Sequence, residues 1–175
     1  SYYSIYLMKK INENDCDIAD PEIETIKNEL SRLDQKIPIL RKSDLKMALS
    51  VFYYKANNLR LSLKTAHELL NELSFKQNAN LYFTARFFYL ILLIELNKKE
   101  YFEVAWNSTK RLIKANQYRS EEVNMLSPIF NRYCKNNEEQ LFESISNLKG
   151  TIQNENPFFN FRQWALSKNN SKESS

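Results

Sequence analysis

Eight apolar residues in succession, Phe87 to Ile94, sit near the middle of a chain that elsewhere alternates apolar and charged residues at helical spacing. A helix built from such a run is apolar on every face, so it must be covered by other elements. The run falls far short of the roughly 20 residues that cross a bilayer, and Arg86 and Glu95 bracket it. The stretch 85–96 therefore predicts a buried central helix within a layered domain, with no insertion into a membrane.

The remaining chemistry points the same way. The chain has 175 residues with one Gly and four Pro, which leaves little material for hairpin turns and none for a phosphate-cradling loop. Long helices joined by Asn-, Lys- and Ser-containing turns fit better, and the fold class is all-α. Residues 1–166 read as one helical domain, open to being a fragment of a longer chain because Ser1-Tyr2-Tyr3 is not an initiator sequence. Residues 167–175 read as a disordered polar tail. A net charge of +4 from 25 basic and 21 acidic residues is a nearly balanced surface, so no nucleic acid is expected. The basic group Lys110, Arg111, Lys114 and Arg119 lies near a predicted helix C-terminus, where the dipole favours cations. Cys16, Cys134 and His67 lack any metal-ligand spacing, and no metal or other cofactor is expected.

Helix boundaries follow from capping chemistry. An amphipathic segment from Tyr2 through Ile5, Tyr6 and Met8 precedes an acidic loop, and Asp20-Pro21-Glu22 opens a helix carrying Ile23, Ile26, Leu30 and Leu33 on one stripe. Around Pro38 the pattern breaks. Ser43-Asp44 opens the next helix, with Leu45, Ala48, Leu49, Phe52, Tyr53 and Ala56 on one face, ending at Asn57-Asn58. Ser62 is the expected cap of the following helix, which carries Leu63, Ala66, Leu69, Leu70 and Leu73, and Asn80 the expected cap of the central one. After Asn97-Lys98-Lys99 comes a helix with Phe102, Ala105, Trp106 and Leu112, then one opened by Ser120 in which Pro128 predicts a kink or a break. Asn137 caps a further helix with Leu141, Phe142, Ile145 and Leu148, closed by Gly150. Phe158, Phe161 and Trp164 recur every three residues in the last element.

Connections this short favour antiparallel neighbours, and pairing the helices gives three successive hairpins of about 35–40 residues. Ala66 and Ala105, 39 residues apart, each fall early in the second helix of a pair, with Asn57-Asn58 and Asn97-Lys98 in the intervening turns. This pattern resembles tetratricopeptide-repeat (TPR-like) architecture, without that family's small residue in the first helix, its turn Gly or its closing Pro. Residues 84–133, from Thr-Ala-Arg-Phe-Phe-Tyr-Leu through Asn-Lys-Lys-Glu-Tyr-Phe to Glu122, resemble the last units of large uncharacterised bacterial TPR-like proteins. The closing Phe158-Phe159-Asn160-Phe161-Arg162-Gln163-Trp164-Ala165-Leu166-Ser167-Lys168 resembles their aromatic terminal segment. The resemblance implies a cytoplasmic α-solenoid of about 8–9 helices.

No nucleophile, base and orienting group fall together, so the expected function is non-enzymatic. Glu121-Glu122 and Glu138-Glu139 occupy first helical turns, where carboxylates cap the dipole. Tyr and Asn on the inner helices of a solenoid suit peptide recognition, because Asn bonds a peptide backbone and Tyr supplies area at low entropic cost. Tyr54, Asn57, Asn58, Tyr82 and Arg86 form the expected groove for a peptide or protein partner, in a scaffold or adaptor role. The alternative is a helical domain of a regulatory protein that senses a ligand or peptide. An open polar face favours the first reading and an enclosed apolar cavity the second.

Overall fold

The computed structural model describes residues 2–32, 39–135 and 156–170, and among them every regular element is an α-helix. The helix expected over Leu141–Leu148, its Asn137 cap and Gly150 lie outside the described residues, as does Leu33. The chain divides into two compact units, Ser1–Asn97 and Lys98–Ser175.

The first unit holds α1 (Tyr2–Asn12), α2 (Pro21–Arg32), α3 (Ile39–Lys55), α4 (Leu59–Glu72) and α5 (Ala79–Glu95). The oily run is helical and lies in α5, where Phe87, Phe88, Leu90, Ile91, Leu92 and Leu93 are almost wholly buried and Tyr89 and Ile94 partly so. α5 packs on α4, its Phe88 ring meets Tyr54 of α3 edge-on at 5.7 Å, and Phe83 meets Phe75 of the preceding loop at 5.8 Å.

A second helix shares this condition. Leu45 to Tyr53 of α3 are buried without interruption, so α3 is not the one-faced helix its apolar spacing suggests. Lys46 and Ser50 disguise it, since polar residues in a pattern are read as solvent-facing. α3 packs against α1 and α4 and begins at Ile39, ahead of the expected Ser43-Asp44 cap; Ser43 is itself buried. Ser62 is likewise no cap. It sits inside α4 and exchanges hydrogen bonds with α3: the Ser62 hydroxyl donates to the Ser50 carbonyl at 2.7 Å and the Ser50 hydroxyl to the Ser62 carbonyl at 2.8 Å. Two hydroxymethyl groups at the crossing keep the backbones close and satisfy both buried hydroxyls.

α4 is capped by Asn58, whose Oδ1 accepts from the Leu61 amide, and α5 by Asn78 rather than Asn80, through the Leu81 amide. Helix ends show a common device. Asn14, Asn57, Asn97 and Gln117 all have positive φ, of 49 to 58°. After α3 the Asn57 amide donates to the Tyr54 carbonyl and the Asn58 amide to the Tyr53 carbonyl, the paired bonds of a Schellman ending. Asn14-Asp15 and Gln117-Tyr118 repeat both bonds, and Asn97 repeats the first. Asn thus takes a position usually given to Gly.

α1 buries Leu7 and Ile11, while Tyr2 and Ile5, expected on its apolar side, are exposed. Asp20 ties α1 to α2. It caps the Glu22 amide at 3.0 Å, accepts from the Tyr6 hydroxyl and lies 3.4 Å from Lys10 Nζ. The Tyr6 bond and these neighbours hold the Asp20 carboxyl below its ordinary range, and Tyr6 is pushed up to about 12, chiefly by the same bond.

The second unit holds α6 (Lys99–Ala115), α7 (Glu121–Cys134) and α8 (Phe161–Asn170). Ser120 caps α7 as its sequence indicates, accepting from the Val123 amide. Phe102 and Trp106 of α6 meet Phe130 of α7 at 5.5 and 5.2 Å, and the Trp106 indole donates to Asn131 at 2.9 Å. Of the kink or break expected at Pro128, the break is absent: α7 is one helix through that position. Pro128 and Asn124 are exposed, so water can take the Asn124 carbonyl that the missing amide leaves. In and before α8, Phe159, Phe161, Trp164 and Ala165 are buried and Phe158 partly so, and the helix runs on to Asn170. No helix among the described residues is long and apolar enough to cross a membrane.

Phe88→Ala should destabilise the protein by about 3–5 kcal/mol in urea titration, the range for a buried Phe left as a cavity. A loss below about 1 kcal/mol would remove α5 from the interior. At the α3–α4 turn, Asn57→Gly should be more stable than Asn57→Val by about 1–2 kcal/mol, because only Gly escapes the Cβ clash at positive φ. Equal stabilities would show that the turn conformation is not what residue 57 sustains.

Candidate functional site

The five residues expected to form a groove fall in two places. Asn57 and Asn58 make the α3–α4 turn, with Tyr54 one turn before them on α3. Asn57 is exposed, Asn58 spends its side-chain oxygen on the α4 cap, and Tyr54 is half-buried against Phe88. Burial, then the nearby Glu95 carboxylate, pushes the Tyr54 phenol up to about 12. Tyr82 and Arg86, one turn apart on α5, are joined: Arg86 Nη1 donates to the Tyr82 hydroxyl at 2.9 Å, and the guanidinium lies 5.3 Å from the ring centre. Phe88, the residue Tyr54 packs on, follows Arg86 by two positions, about 200° round the helix. Tyr54 therefore meets α5 on a different side from the Tyr82–Arg86 pair.

A cleft of about 440 Å³ opens instead among α2, α3 and α4, entirely within the first unit. Each helix contributes a stripe at helical spacing. α3 supplies Lys42, Lys46, Leu49 and Tyr53, at steps of four, three and four. Leu61, Thr65, Glu68 and Glu72 come from α4 at the same cadence, with Lys64 beside them, and α2 adds Lys27, Leu30 and Ser31. The floor is buried: Leu30, Lys46, Leu49, Tyr53 and Thr65. Ser31, Lys64, Glu68 and Glu72 form an exposed rim.

Electrostatics centre on Glu72. Its two carboxylate oxygens accept separately, Oε1 from Lys46 Nζ at 2.6 Å and Oε2 from Lys42 Nζ at 2.9 Å. These lysine side chains are only 10% and 15% exposed, so most of each aliphatic stem is covered while its ammonium group meets the carboxylate. Burial alone would raise the Glu72 carboxyl, but the hydrogen bonds from Lys46 and Lys42 outweigh it and hold the group below its ordinary value. Lys27 donates to Glu24 at 3.0 Å, and burial raises the titration of the Tyr53 phenol on the floor. The outer pair Lys64–Glu68, at 3.9 Å, is well exposed and contributes little.

Such a set suits binding: ammonium groups and hydroxyls over an aliphatic floor, with room for a ligand on the order of a few side chains. The sequence reading passes over it because lysines at mixed positions look like a solvated surface. One signal was available, the steps from Lys42 to Lys46 to Leu49 to Tyr53, which place cations on the same stripe as core residues. His67 is exposed, its Nδ1 lying 3.3 Å from the Asn71 amide nitrogen, and among the described residues no group of three or more His, Cys, Asp or Glu could hold a metal ion. No family model, curated protein or solved structure matches the chain.

The Glu72 geometry has a pH signature. A carboxyl whose pKa is lowered by folding stabilises the native state above its unfolded value, 4.5 for Glu, and that contribution fades as pH falls through the folded value. Glu72→Gln should therefore be less stable than the native protein at neutral pH, with the gap in urea midpoint closing under acid. A gap of constant size down to about pH 3, below the ordinary Glu range, would show that Glu72 carries no linked charge.

Proposed function

We propose that the chain is a non-enzymatic, TPR-like helical-repeat module that holds a peptide or protein segment, acting as a cytoplasmic scaffold or adaptor. The observation that carries this reading is the α2–α4 cleft, which joins a buried aliphatic floor to an exposed, charged rim. Extended peptides need both kinds of surface, one for side chains and one for polar groups that stay hydrated. An open, charged cleft favours peptide holding over the ligand-sensing alternative, for which an enclosed apolar cavity would be the matching feature.

Two further observations support the repeat reading. The α3–α4 turn and the turn after α5 both pass through an Asn at positive φ, Asn57 and Asn97, forty positions apart. Small residues at the α3–α4 crossing, Ser50 and Ser62, supply the close approach that helical hairpins of this kind require.

Selection of the full-length protein against a random peptide library, followed by calorimetry on the winners, tests the proposal. Binding should weaken in a Lys27→Ala/Lys64→Ala variant and persist in Tyr82→Ala/Arg86→Ala. Loss only in the second variant would move the site to α5, and failure to select any peptide would overturn the binding reading.

A further inference from the structure

The lysine cleft has a sharper chemistry than peptide binding in general. We infer that it recognises an acidic segment that also carries aliphatic side chains, an inference that rests on the peptide-holding reading above. Four lysines, Lys27, Lys42, Lys46 and Lys64, line one space of about 440 Å³. The carboxylates facing the same space are Glu68 and Glu72, with Glu24 beside Lys27. Cations therefore outnumber anions around the cleft, and a negatively charged ligand is the complement.

Charge alone would equally suit a polyphosphate or a nucleic acid strand. The floor separates these. Leu30 and Leu49 are buried at its base and Leu61 is half-buried beside them, presenting aliphatic surface that a phosphate backbone cannot match. No guanidinium lines the cleft and Tyr53 is its one aromatic, so the series of rings and cations on which successive bases stack is not offered. A segment with carboxylates on the rim lysines and a Leu- or Ile-sized side chain on the floor satisfies both parts.

Glu72 then acts as a resident anion. Its carboxylate already bridges Lys42 and Lys46, so an incoming carboxylate must share or displace it. Binding strength is set by that competition, and removing the internal competitor should tighten the ligand.

Fluorescence anisotropy on the full chain tests this with four probes: a labelled peptide alternating Glu and Leu, its Gln-Leu counterpart, an all-Glu peptide and a single-stranded oligonucleotide. The Glu-Leu peptide should bind most tightly and weaken with added salt. The Lys27→Gln/Lys64→Gln variant, altering rim groups whose side chains are 39% and 73% exposed, should weaken it about fivefold, the equivalent of two exposed ion pairs. Glu72→Gln, with folding confirmed by circular dichroism, should tighten it about tenfold. Equal binding of the Gln-Leu peptide would overturn the acidic class while leaving peptide holding intact. Equal binding of the oligonucleotide or the all-Glu peptide would show that the aliphatic floor is not read. Weaker binding by Glu72→Gln would overturn the competition, and silence from both Leu-containing peptides would sink this inference and the underlying reading together.

Discussion

Complete burial of a helix is the constraint on which the first unit depends. A one-faced helix can lie on a surface, but α5 is apolar without interruption from Phe87 to Ile94, and α3 is buried along nine successive residues. Each must therefore be an inner element. α1 and α4 pack on α3, and α4 packs on α5, so α4 serves both inner helices. Its buried residues, Ser62, Thr65, Ala66 and Leu69, are small or compact, which suits a helix that must approach both.

The two inner helices meet that constraint differently. α5 does so almost wholly with hydrocarbon and aromatic rings, Thr84 being its one buried polar side chain. In α3, Ser43, Lys46 and Ser50 go inside, and a buried polar group left unbonded costs about 1–3 kcal/mol. Ser50 finds Ser62 across the crossing, and Lys46 finds Glu72 at the far end of α4. The same two helices are thus joined near one end by paired hydroxyls and near the other by an ion pair. The cleft lies along the line between them, where α2 comes alongside and the lysines gather.

Where side-chain chemistry acts locally, the sequence was legible. Asp20-Pro21, Ser120 and the Asn57 turn are decided by neighbours within a few residues, and each stands where capping rules put it. The greasiness of α5 was legible because eight apolar residues admit no outward face. Long-range pairing was the part that could not be read. Ser62 looked like a cap because Ser caps helices, and only its partner twelve residues earlier on another helix shows otherwise. Lys46 stands outside the apolar face expected of its helix, and its counterion lies twenty-six residues away. The Asn80 cap missed by two positions, since Asn78 and Asn80 offer the same side chain and nothing local chooses between them. The placement of the expected groove residues is set in the same long-range way: helix phase puts Tyr54 and the Tyr82–Arg86 pair on different sides of α5.

A buried ion pair is weak support for stability, because a well-packed apolar isostere often holds a fold as well or better. With Met or Leu at position 46, the buried run Leu45 to Tyr53 would be apolar except for Ser50. Lys46 is thus difficult to explain as a stabilising device alone. Together with Lys42 it keeps positive charge at the wall of a cleft, partly neutralised by a carboxylate from the next helix. Under the proposed reading that arrangement has a use beyond folding, because an anion reaching the cleft meets two ammonium groups that share a single carboxylate. If the cleft holds an acidic segment as proposed, the polar interruption of the buried run Leu45 to Tyr53 is what links the packing problem to recognition.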